Sequence, residues 1–200
     1  MRPKISIYLA GKIQKAHEGA NERYWTEENL ESLKSHLSDF EITFLNPAIR
    51  SDDLSDQRSV FGRDILQVTC SDIVFADIRD RRGIGVGAEM MWAKIHKIPL
   101  VTWAPRDSHY YKSQTTLLGV PVKEWIHPFV FALSDYMAET LKDASEFIHK
   151  VITDSSTPIK GIDDIESAMR YYKESQLQSD EPMKDLFMVH DDLKSRIELI

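Results

Sequence analysis

An α/β fold built on a parallel sheet with both faces covered is the architecture this sequence predicts, on three observations. Short apolar runs alternate along the chain with stretches of helical spacing, as successive βαβ units require. One run, Ile73-Val74-Phe75-Ala76, is apolar throughout and bounded by Asp72 and Asp77, the pattern of a strand buried on both sides. A glycine tract, Gly83-Ile-Gly-Val-Gly87, follows it and leads into a helix through Met90, Met91, Ala93 and Ile95. Strand, glycine loop and helix in that order mark the ligand-binding edge of such sheets.

Each element has its own signature. Residues 5–10 form the first strand, closed by Gly11 and Lys12. Spacing of Tyr24, Leu30, Leu33 and Leu37 predicts a helix over 17–37, and 40–45 a second strand stopped by Asn46-Pro47. Asp52, Asp53 and Asp56 make 48–59 a polar loop. A helix follows over 60–69, with Asp64 in its first or second turn, then the strand 73–76. Residues 88–96 read as a helix with Glu89 in its first turn, where unpaired amides and the helix dipole favour the ionised carboxylate. The fourth strand is 98–103, and 104–127 is a long irregular connection. Residues 129–133, Phe-Val-Phe-Ala-Leu, predict a fifth strand and 136–151 a closing amphipathic helix. These make one α/β domain over 1–152. Beyond Ser155-Ser-Thr-Pro158 the residues 153–200 form a polar, mostly helical extension, with a short helix over 183–197.

The composition excludes several classes of function. Two hundred residues, 42% hydrophobic, suffice for a substantial core. A net charge of -7 without a dense basic run argues against polymeric nucleic acid as partner. The single Cys70 excludes an internal disulfide, and no apolar run reaches membrane-spanning length. No signal-peptide core follows the first residues, so a cytoplasmic protein is expected. The seven histidines lack metal-ligand spacing, and no metal is expected.

Strand ends and helix beginnings share one edge of a parallel sheet, so residues far apart in sequence converge there. Delivered to that edge are Tyr8, Gly11, Lys12, Asn46, Asp64, Asp77, the glycines, Glu89, Trp103 and Arg106. A paired Glu89 and Asp64 suit a retaining glycosidic cleavage, one carboxylate as nucleophile and the other handling protons. The competing reading makes Glu89 a dipole-complementing helix charge and Asp64 a solvated one. Lys12 and Lys15 are candidate phosphate contacts, and Trp103 is placed to stack on a base. The tract from Gly83 to Ala88 also fits the dinucleotide fingerprint, but Ile78 to Arg82 separate it from its strand and it does not follow the first strand.

Tyr8-Leu-Ala-Gly11, the run from Asp64-Ile-Leu to Ser71-Asp72-Ile-Val-Phe-Ala-Asp77, and Gly85-Val-Gly-Ala-Glu89 together resemble the nucleoside 2-deoxyribosyltransferase family. That family also contains the deoxynucleoside 5'-monophosphate N-glycosidases. The resemblance spans residues 4–151. It implies a flavodoxin-like three-layer sandwich with five parallel strands and cleavage of the bond between a nucleobase and C1' of deoxyribose, without a cofactor. It further implies a homodimer or higher homo-oligomer whose active sites are completed across the interface. By position, Glu89 resembles the family nucleophile, Asp64 the acid that protonates the leaving base and orients the sugar, and Tyr8 the phenol that holds the nucleophile. Gly11, Lys12, Asn46, Asp77, Gly85, Gly87 and Trp103 are then substrate contacts, and Ser113 the residue lent by a neighbouring subunit. One departure is Gly83, which stands where the transferases carry a further aspartate. Without it the hydrolase branch gains weight over base exchange. A nucleotide sensor without turnover and a hydrolase of a related N-glycoside such as NAD are the alternatives from other classes.

Overall fold

Residues 2–13, 24–190, 193 and 195 are described by the structure, a computed structural model. The elements run β1 (Lys4–Ala10), α1 (Glu27–His36), β2 (Glu41–Leu45), α2 (Gln57–Thr69), β3 (Ile73–Asp77), α3 (Ile84–Ile95) and β4 (Leu100–Trp103). They continue with β5 (Tyr111–Leu117), β6 (Val120–Ile126), α4 (Pro128–Leu133), β7 (Tyr136–Ala138), α5 (Leu141–Thr153), α6 (Ile162–Ser175) and α7 (Glu181–Val189). Five strands form a wholly parallel sheet in the order β2-β1-β3-β4-β7. That is the flavodoxin-like order, in which the chain reverses its direction of winding between β1 and β3.

Side-chain alternation on the strands divides the core. Ile5, Ile7, Leu9, Ile73, Phe75, Val101 and Trp103 pack with Leu33 of α1 and Ala144, Ile148 and Val151 of α5. Tyr8 and Val74 point the other way, towards the layer in which α3 contacts both α2 and α4. Both faces of the sheet are covered at its centre: β3 is buried along its whole length.

Several elements differ from the sequence-based expectation, each for a local reason. Thr26 caps α1 through a reciprocal box with Asn29, Asn29 N donating to Thr26 Oγ1 at 3.2 Å, so that helix starts at Glu27. The expected segment 17–23 lies outside the described residues. Asp56 accepts from the amides of Arg58 and Ser59 at 3.1 Å, which starts α2 at Gln57 and moves Asp64 to its third turn. Helix α3 begins at Ile84 behind an extended Gly83, so Gly85 and Gly87 are helical and Glu89 sits in the second turn.

Residues 129–133 are helix α4, not a strand. Pro128 occupies the first helical position, which its fixed φ favours, and a short apolar run has no period to separate strand from buried helix. The fifth strand of the sheet is instead Tyr136–Ala138, and the closing helix starts at Leu141 behind a Thr140–Asp143 capping box. The connection 104–127 contains an antiparallel hairpin, β5–β6, whose two-residue turn takes positive φ at Leu118 (49°) and Gly119 (84°). A leucine in that position hides a turn usually announced by Asn-Gly.

The chain divides into two compact units, 1–160 and 161–200. The second contains α6 and α7. Of the helix expected over 183–197, α7 covers the part to Val189, and most positions beyond His190 lie outside the described residues. Among the described residues no helix is long and apolar enough to cross a membrane.

Candidate active site

Three elements bring Tyr8, Asp64 and Glu89 into one electrostatic cluster. Tyr8 is fully buried on β1, Asp64 lies on α2 with its side chain 18% exposed, and Glu89 is half-buried on α3. Burial pushes the Tyr8 phenol far above its ordinary value, and the neighbouring Glu89 and Asp64 charges push it further. Tyr8 is therefore a neutral hydrogen-bond donor at any physiological pH. Burial likewise raises Glu89 from 4.5 to about 7, against the stabilising Tyr8 hydroxyl, with Asp64 adding to the rise. The dipole at the start of α3 does not keep Glu89 at an ordinary acidity, because desolvation outweighs it and the carboxylate has moved past the first turn.

The Tyr8 hydroxyl lies near enough to Glu89 to favour its ionised form. Tyr8 Oη and Glu89 Oε2 are both buried without a hydrogen-bond partner in the chain. Two orphaned polar atoms in one cluster are costly, since each forfeits about 1–3 kcal/mol of solvation. Structural sites avoid such losses, whereas sites that receive a further group carry them.

Arginines that sequence reasoning did not place complete the cluster. Arg50 Nη1 and Arg63 Nη1 each lie 3.4 Å from Asp64 Oδ1. Arg50 is held in turn by Asp52, Nη2 to Oδ2 at 2.6 Å, which lowers the Asp52 carboxyl to about 2. Asp52 is thus part of an ion network, Asp53 accepts from Ser55, and Asp56 caps α2; the acidic loop has local work throughout. The position of Arg50, four residues past Asn46 on the sheet's carboxyl edge, was the signal available for it.

The remaining expected contacts divide into three groups. Gly11, Lys12 and Asn46 line one small cleft of about 130 Å³ with Tyr24 and Trp25, on the Leu9 face of the sheet. Trp25 Nε1 donates to Ala10 O at 3.0 Å, and Asn46 Oδ1 accepts from Ala48 N at 2.9 Å. Lys15 lies outside the described residues. Gly85 stands beside Glu89: a Cβ there would come 3.9 Å from Oε1. Gly83 and Gly87, with Met91, line a different cleft of about 440 Å³, walled by Phe129, Val130 and Leu133. At about 100° per residue these positions face away from Glu89, so the glycines do not form one hollow around it.

Asp77, Trp103 and Ser113 each have partners within the chain. Asp77 is fully buried between Arg79 (Nε–Oδ1 2.9 Å) and Arg82 (Nη2–Oδ2 3.0 Å), a structural clamp at the end of β3. Trp103 was expected to stack on a base, but it is buried, with the Arg79 guanidinium 3.6 Å over its ring and Trp25 beside it at 6.0 Å. The cation already occupies the face a base would use. Ser113, on β5, donates its hydroxyl to Asp107 Oδ1 at 2.7 Å within the same chain. Among the described residues no group of three acidic, histidine or cysteine side chains is arranged to hold a metal.

No protein-family model matches the chain, and no curated protein matches it in sequence. Solved structures do. The 2-deoxyribosyltransferase from the psychrotolerant bacterium Bacillus psychrosaccharolyticus is similar at 17% identity and a TM-score of 0.46, over 78% of this chain and 98% of that one. A conserved protein from Enterococcus faecalis V583 is similar at 17% identity and a TM-score of 0.53, over 75% of this chain and 99% of that one. What the second likeness establishes is architecture: this chain shares with the Enterococcus faecalis protein its α/β fold.

Proposed function

We propose that this chain cleaves the N-glycosidic bond of 2'-deoxynucleosides or their 5'-monophosphates, with Glu89 as the nucleophile. The observation that carries the reading is the cluster of Glu89, Tyr8 and Asp64, with Glu89 Oε2 and Tyr8 Oη buried and unpartnered. Departure of a base from deoxyribose leaves an oxocarbenium-like carbon, and a preoriented carboxylate beneath C1' lowers that barrier. In the first step a Glu89 oxygen bonds to C1' while the C1'–N bond breaks. The electron pair stays on the base nitrogen, and the base takes up one proton. In the second step water, or the nitrogen of another base, attacks C1', frees the carboxylate and loses one proton. The neutral Tyr8 phenol supplies a donor that favours the ionised nucleophile. Lys12 and Asn46, in the small cleft at the end of β1 and β2, are the polar groups proposed to meet the ligand's far end.

Water as acceptor is favoured over a second base by the absence of an acid at Gly83. Incubating the protein with each deoxynucleoside and deoxynucleotide, with and without a free acceptor base, separates the two by chromatography. Free base and deoxyribose or its phosphate are expected without an acceptor. Failure to release base from any member of the panel, with Glu89→Ala binding ligands as the parent does, would remove the catalytic reading. The homo-oligomer implied by the family resemblance is read by sedimentation.

A further inference from the structure

The surroundings of Asp64 give it a different role from that of a proton donor. Arg50, its side chain only 9% exposed, is fixed by Asp52 in a bidentate pair, Nε to Oδ1 at 2.8 Å and Nη2 to Oδ2 at 2.6 Å. Arg63 is fixed from the other side, donating Nη2 to Ile49 O at 2.7 Å. Both turn Nη1 towards Asp64 at 3.4 Å. Charge-assisted hydrogen bonds are shorter, about 2.7–2.9 Å, so the guanidiniums hold the Asp64 carboxylate in place without saturating its oxygens. The charged and titratable groups facing Asp64 are Arg50 from the loop after β2, Arg63 from α2, Tyr8 from β1 and Glu89 from α3. Asp52 stands behind the two arginines. A carboxylate held between two anchored cations is oriented as a hydrogen-bond acceptor.

We infer that Arg50 is a positioning residue that screens the Asp64 carboxylate and orients it as an acceptor, so that Asp64 accepts a hydrogen bond from the substrate and does not protonate the leaving base. The mechanistic half of this inference rests on the proposed function; the charge of Asp64 does not. The proton gained by the base nitrogen as the C1'–N bond breaks then comes from water.

Two measurements test it. The first follows the Glu89 carboxyl carbon by NMR titration, assigned by its loss in Glu89→Gln. If Asp64 is charged, Asp64→Asn removes a negative neighbour and lowers the Glu89 midpoint by about one pH unit. Arg50→Met uncovers that charge and raises the midpoint by a similar amount, and Arg50→Lys restores it. Should Arg50→Met not fold, Arg63→Met carries the upward arm. A Glu89 midpoint unmoved by Asp64→Asn means Asp64 was already neutral and overturns the inference. The second compares 2'-deoxyguanosine with 7-methyl-2'-deoxyguanosine, whose base is cationic and leaves without a proton. Asp64→Asn should slow both by the same factor within about threefold. A loss that vanishes for the methylated substrate marks a general acid and also overturns it. Absence of turnover on every substrate defeats the proposed function, while the titration still decides the charge of Asp64.

Discussion

Three influences compete over the charge of Glu89. Burial disfavours the carboxylate, the Tyr8 hydroxyl favours it, and the Asp64 charge disfavours it, leaving a group raised from 4.5 to about 7. A nucleophile must be ionised, so kcat/KM is expected to rise with pH through about 7 and level off above it. A pH–rate profile checks this, and a rate that falls through that range contradicts it. The same shift governs stability. Between 4.5 and about 7 the folded protein binds more protons than the unfolded chain, so stability falls as pH rises through that window. The loss is on the order of 3 kcal/mol as an upper bound. Glu89→Gln should abolish this dependence in denaturation at pH 5 and pH 8, and should slow base release about 1,000-fold or more while retaining ligand binding. Glu89, Asp64 and Tyr8 were all legible in the sequence by residue type and position. The sharing of charge among them was not, because desolvation depends on neighbours contributed by other elements.

At the scale of elements, α3 is anchored near its carboxyl end. Its Lys94 pairs with Asp135 in the interior, and Asp135 Oδ2 also accepts from Leu100 N at 2.6 Å while Oδ1 accepts from Lys160 N at 2.7 Å. One carboxylate thereby joins α3, the start of β4 and the approach to β7. Asp135→Ala removes the carboxylate from a buried ammonium and is expected to cost about 3–5 kcal/mol by urea denaturation. At the other end of the sheet, a Cβ on Gly11 would meet Trp25 Nε1 at 3.1 Å and Cδ1 at 3.3 Å. Gly11→Ala should cost about 1–2 kcal/mol and loosen the indole that donates to Ala10, read as changed tryptophan fluorescence together with a lowered Tm. Strands β1 to β4 and the helices between them were legible because their apolar runs have the right length and flanks. Residues 129–138 were not: Phe129 to Leu133 are apolar without a period, and a strand as short as Tyr136–Ala138 is specified by pairing with β4 and little by its own residues.

For the whole molecule, the unit of residues 1–160 contains the sheet, both helical layers and the proposed site, and has a continuous core. A chain ending at Lys160 is expected to unfold in a single cooperative transition followed by circular dichroism; a broad, non-cooperative loss of signal would show that residues 161–200 are needed for folding. The alternation of buried strands and helices, and the placing of Tyr8, Asp64 and Glu89 near one edge of a parallel sheet, were determined by sequence alone. Local periodicity and the handedness of βαβ crossovers suffice for both. Only the tertiary structure decided that Asp64 faces Arg50 and Arg63, that Arg79 covers Trp103, and that the glycine tract serves two sides of α3. Electrostatic and stacking energies change over a few ångströms and with local dielectric, and those distances are set by packing between segments that local sequence does not relate.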